Sequence, residues 1–99
     1  MSTLHVLSHS PFTDNRLTSC LRLLGAQDAL LLSGDAVYAL QPGTAPFGEL
    51  QARHATLRLF VLEEDVQARG LQVPEWIKSL DYPAFVELSI HYDKVNSWL

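Results

Sequence analysis

The run Ala29-Leu30-Leu31-Leu32 constrains the fold of this chain more than any other segment. A strand with one face in water alternates apolar and polar residues. An unbroken apolar run needs cover on both faces, which is the condition of an interior strand in a parallel sheet. Asp28 on one side and Ser33-Gly34-Asp35 on the other bound the run, so residues 28–32 read as a buried strand followed by a turn. Residues 57–62 form a second, clearer strand of the same apolar kind, and residues 3–8 a first one in which His5 sits among Leu4, Val6 and Leu7. Ser10-Pro11 closes that first strand, because proline has no N–H to give a ladder.

Helical patterns lie between these strands. Leu17, Cys20, Leu21 and Leu24 recur at i, i+3, i+4 and i+7, which sets them on one helix face, with Arg16 and Arg22 off it. Thr13 and Asp14 offer capping oxygens ahead of this helix, and Gly25 is expected to stop it in a left-handed conformation. Residues 36–40 fit either a returning strand, through Val37 and Tyr38, or a short helix. Residues 41–46 hold two prolines and a glycine and read as a loop. Residues 47–53 suit a short helix with Leu50 inward, and residues 63–69 another ended by Gly70. Val73-Pro74 marks a bend and residues 76–80 a short strand. Pro83 suits the first position of a last helix, which carries Phe85, Val86, Leu88, Ser89 and Tyr92 around much of its circumference. Strands alternating with helices make this an α/β chain. The expected architecture is a single small domain over residues 1–99, with a mostly parallel sheet of about four to five strands flanked by helices on both faces.

Charge and cysteine usage narrow the function. Seven Lys+Arg stand against eleven Asp+Glu, a net charge of −4 with no basic cluster. A direct nucleic-acid binder needs a basic face to displace counterions from phosphates, so no direct nucleic-acid contact is expected. The one cysteine excludes an internal disulfide and suits a reducing compartment. The first ten residues lack a basic region followed by an apolar run, and no apolar stretch approaches the ~20 residues of a membrane span. Cytoplasmic residence without membrane attachment is the expectation.

Cys20 is the first candidate for chemistry, since a thiolate can accept sulfur as a persulfide or attack a disulfide. Its place on the apolar stripe argues for packing instead: a buried thiol stays neutral, and mid-helix it lacks the helix N-terminal field that would lower its pKa. His5, His9, His54 and His91 include no i, i+4 pair, and no second cysteine completes a zinc site, so neither metal nor cofactor is expected. Glu63-Glu64-Asp65 follows the strongest strand, where α/β folds place ligands, but an acidic run at a helix start is also what the helix dipole favours. Ser8, Ser10 and Ser19 show no nucleophile elbow, and the five glycines no phosphate-loop grouping. Trp76, Tyr82, Phe85, Tyr92 and Trp98 crowd the last quarter of the chain, either as core or as a protein–protein surface.

Four segments together carry a resemblance. LHVLSHSPFTDNRLTSCLRLL, ALLLSGDAVYAL, LFVLEEDVQARGL and LDYPAFVELSIHYDKVNSWL run in order across nearly the whole chain and resemble the DsrH/TusB family of DsrE-like fold. The resemblance implies a helix rather than a strand at residues 36–40. It implies one of three related small subunits, with TusC-like and TusD-like (or DsrF-like and DsrE-like) partners in a heterohexamer with two of each. Such a complex takes persulfide sulfur from a TusA-like donor and hands it to a TusE-like acceptor, toward 2-thiouridine at the tRNA wobble position. The persulfide cysteine of these complexes belongs to the TusD-like or DsrE-like subunit, which makes this chain accessory rather than catalytic alone. Cys20 falls where the DsrH branch carries a cysteine in its SCL helix, which keeps the choice between branches open. Two other readings stand beside the accessory one. One is a DsrH-type subunit of a sulfur-oxidation complex with Cys20 as an active thiol. The other is a stand-alone homo-oligomeric binding protein.

Overall fold

A computed structural model describes residues 2–98. Strands β1 (Thr3–Leu7), β2 (Ala29–Leu32), β3 (Arg58–Leu62), β4 (Lys78–Leu80) and β5 (Lys94–Trp98) form one five-stranded sheet in the order β4-β3-β2-β1-β5. Every neighbouring pair is parallel. All four residues of β2 are buried, as its unbroken apolar run requires. The helices are α1 (Arg16–Leu23), α2 (Ala45–Arg53), α3 (Glu63–Ala68) and α4 (Tyr82–Ile90), and residues Gly34–Leu40 form a 3-10 helix between β2 and α2. The open choice at residues 36–40 thus resolves as helical.

Topology decides what covers each face. From β1 to β4 the chain steps in one direction, and right-handed crossovers place every connection on one side. On that side α1, the 3-10 helix, α2 and α3 bury Leu17, Cys20, Leu21, Val37, Leu40, Leu50 and Val66 against Leu7, Leu30, Leu32, Leu59 and Val61. The return from β4 to β5 runs the other way across the sheet, so its crossover, α4, lies on the opposite face, the one helix there among the described residues. There Ala84, Phe85 and Leu88 pack on Leu4, Ala29, Leu31 and Leu80. Outer strands of a five-stranded sheet stand ~19 Å apart at a strand spacing of ~4.8 Å. One helix, ~10 Å across, leaves part of that face open.

Several local expectations change. The first helix begins at Arg16, after Asn15, and no side chain caps it. Asp14 instead accepts from the Arg16 amide at 2.9 Å and pairs with its guanidinium, while the Thr13 hydroxyl donates to the Ser10 carbonyl. Gly25 is not left-handed: the helix ends at an extended Leu24, and the Gly25 amide donates to Asp28 Oδ2 at 2.9 Å. Gly70 does take the left-handed conformation, with φ +65°, beyond α3. The strand expected over 76–80 is confined to Lys78–Leu80. Pro83 is the second rather than the first helical residue, because Asp81 caps α4 by accepting from the Ala84 amide at 2.9 Å. β5 was not read from the sequence at all; it lies at the edge of the sheet beside β1.

Candidate functional site

Cys20 lies on the inner face of α1 with none of its surface exposed. Burial pushes its thiol up to about 12, and the Asp28 carboxylate adds to the rise. At neutral pH the sulfur is a neutral thiol in an apolar layer, and a neutral thiol is a poor nucleophile.

His5, Asp28 and Trp98 form the most developed polar arrangement, with His5 buried and its two partners half-buried. His5 leaves β1 on the α1 side and is 6% exposed. The Trp98 indole Nε1 donates to His5 Nδ1 at 3.1 Å. An indole N–H can only donate, so Nδ1 holds the lone pair and the ring proton is on Nε2. Nε2 faces Asp28 Oδ2 at 3.5 Å. Asp28 also accepts from the amides of Gly25 and Thr3, both at 2.9 Å. The Gly25 hydrogen bond, ahead of those from Thr3 and His5, holds the Asp28 carboxyl below its ordinary value against the opposing effect of burial. The spacing of the histidines in the sequence pointed to no partner for His5. Its partners lie 23 and 93 positions away, at contacts that the sheet alone creates.

At the carboxyl ends of β2 and β3, where α/β folds place ligands, the structure is tied shut. The Gly34 amide donates to Asp65 Oδ2 at 2.8 Å. Arg69 donates to Asp35 Oδ1 from Nη2 at 2.8 Å and to the Asp65 carbonyl from Nη1 at 3.1 Å, with its guanidinium 5.6 Å from the Tyr38 ring centre. No side chain caps α3, so Asp65 of the acidic run fastens the turn after β2 rather than its own helix. Glu63 and Glu64 occupy the first turn, where the helix dipole favours negative charge. His9 sits exposed after β1, His54 against Trp76 with ring centres 5.4 Å apart, and His91 at the end of α4. Among the described residues no group of three or more His, Cys, Asp or Glu is arranged to hold a metal ion.

The aromatic residues of the last quarter divide between core and surface. Trp76 packs against Phe47 and His54, and Phe85 and Tyr92 against the sheet beneath α4. Tyr82, Val86 and Ile90, spaced i, i+4 and i+8, form the outer side of α4 and are 57%, 46% and 76% exposed. Val95, paired with Leu4 on the same sheet face, is also exposed. Tyr82, Val86 and Ile90 give α4 an apolar outer side in addition to the inner side that packs on the sheet, and only the inner side is covered. This patch is the strongest candidate for a functional surface.

A family model described as DsrH like protein matches residues 9–95. The chain belongs to the DsrH family. Among its relatives, the Protein TusB of Erwinia tasmaniensis and that of Enterobacter sp. (strain 638) are each 38% identical over 97 residues, covering 96% of this chain and 99% of theirs. The Protein TusB of Escherichia coli O81 is 36% identical over the same span. The family fold is echoed by solved structures. The ychN protein from E. coli superposes with a TM-score of 0.71 at 18% identity, covering 99% of this chain and 100% of that one. MTH1491 from Methanobacterium thermoautotrophicum gives 0.68 at 12% identity, covering 96% of each. No described helix is long and apolar enough to cross a membrane.

Proposed function

We propose that this DsrH-family chain is an accessory, interface-forming subunit of a cytoplasmic sulfur-relay complex. The observation that carries this reading is the bare outer side of α4: Tyr82, Val86 and Ile90 on a helix whose inner side already packs on the sheet. The partners are TusC-like and TusD-like subunits, two of each with two of this chain. The complex takes persulfide sulfur from a TusA-like donor and passes it to a TusE-like acceptor, toward 2-thiouridine at the tRNA wobble position. Cys20 serves as core: with its surface wholly covered and its thiol at about 12, a persulfide carrier would have to open α1 to work. The acidic balance, −4 overall, suits a subunit that meets tRNA only through its partners.

The test is intact mass spectrometry of the co-expressed three-subunit complex, supplied with a cysteine desulfurase and a TusA-like donor. Gain of one sulfur atom on the TusD-like subunit alone is the expected result. A gain on this chain, removed by Cys20→Ser, overturns the accessory assignment. Failure of the three chains to assemble overturns the complex itself.

A further inference from the structure

The contact between β5 and the rest of the sheet contains a titratable hydrogen bond. Trp98, on an edge strand, packs its ring against the core and, among the described residues, donates its indole N–H to His5 Nδ1 at 3.1 Å. That nitrogen accepts only while it carries no proton. We propose that His5 is a proton-operated latch on β5: protonation of Nδ1 removes the acceptor of the Trp98 indole, frees that ring, and turns His5 toward an ion pair with Asp28. In the latched state Nε2–H faces Asp28 Oδ2 at 3.5 Å and Nδ1 receives the indole N–H. In the released state both ring nitrogens are donors, so Nδ1–H and the indole N–H oppose each other, while the full positive charge strengthens the attraction to Asp28.

The surrounding charges fit this exchange. Among the described residues, Asp28, ahead of β2, is the carboxylate in contact with the ring. From α1, Cys20 lies close enough to feel the Asp28 carboxylate, and its thiol, pushed up to about 12 by burial, is neutral. On β5, Lys94 lies on the same sheet side as His5, two residues before Asn96, which is paired with His5. Protonation and Trp98 docking are therefore mutually exclusive. By linkage, anything that holds Trp98 down opposes protonation of His5 to the same degree.

The test uses the full chain labelled with ¹⁵N. The indole N–H of Trp98 is followed by NMR from about pH 8 to about pH 5, the span over which histidine ordinarily changes charge. Its fluorescence is followed in a Trp76→Phe background, where Trp98 is the sole tryptophan. The expected result is a shift of the Trp98 indole signal, faster exchange of its proton and a red-shifted emission, all with the midpoint of the His5 ring titration. Backbone amide signals away from β5 stay in place. His5→Asn, which keeps an acceptor near the Nδ1 position and cannot titrate, makes the Trp98 signals independent of pH. An indole signal that stays unchanged while His5 titrates overturns the latch. So does the same transition in His5→Asn, or a His5 ring that gains no proton before the whole chain unfolds.

Discussion

The amide of Gly34 donates to Asp65 Oδ2 at 2.8 Å, and this bond ties the turn after β2 to the first turn of α3 across 31 positions of sequence. Gly34 has φ +51°, where a side chain is strained, and a Cβ there would stand 3.2 Å from the Ser8 carbonyl oxygen. Gly34→Ala is expected to destabilise the chain by about 1–2 kcal/mol through backbone strain. Asp65→Ala, which leaves a partly buried amide without its acceptor, is expected to cost a further ~1–2 kcal/mol. Urea unfolding measures both. A midpoint within error of the parent for either variant would show that the tie contributes nothing.

Asp28 gives the fold an acid limit. Its pKa is lowered in the folded chain, first by the Gly25 amide and then by Thr3 and His5. A depressed carboxyl contributes stability that is fully present above its unfolded value and is lost as pH falls through its folded value. The window is therefore at and below the ordinary value of 3.8. Asp28→Asn should be less stable than the parent at neutral pH, and the gap should close as pH falls through that window. A gap of constant size across the titration would remove Asp28 as its source.

Cys20 should be inert in the folded chain. With the thiol pushed up to about 12 by burial, alkylation by iodoacetamide at neutral pH is expected to proceed only through unfolding. The rate should rise with denaturant in step with the unfolded fraction. Cys20→Ser, which buries a hydroxyl among apolar side chains, should cost roughly 1–3 kcal/mol, more than Cys20→Ala. Rapid labelling of the native chain would place the sulfur in reach of solvent and reopen a carrier role.

The two sides of α4 should separate stability from assembly. Val86→Asp and Ile90→Lys alter the exposed outer side and are expected to leave unfolding of the isolated chain within about 0.5 kcal/mol of the parent. The same variants should fail to co-purify with TusC-like and TusD-like subunits. Phe85→Ala, on the inner side, should cost roughly 2 kcal/mol, below the value for a fully buried phenylalanine, because Phe85 is only partly covered. Normal assembly of both outer variants would move the interface elsewhere.

How far the sequence reaches is clear from particular residues. Ala29–Leu32 required two covered faces, and β2 has them. Leu17, Cys20 and Leu21 at helical spacing determined the buried stripe of α1, and Gly70 the end of α3. These features depend on period and backbone geometry, which are local. The stop at Gly25 was misread because Asp28, three residues on, claims its amide. The edge strand β5 was missed because Lys94–Trp98 has little apolar alternation; it is held by β1, from the far end of the chain.

The chain's sequence by itself determined the α/β class, the parallel sheet, the covered cysteine and the membership of a family. Only the tertiary structure decided that, among the described residues, α4 crosses the sheet alone and leaves Tyr82, Val86 and Ile90 bare. Only it brought Trp98 to His5 and His5 to Asp28. The physical reason is the same in each case. Periodicity reports which face of an element is apolar, but the handedness of the crossovers and the strand order decide what meets that face.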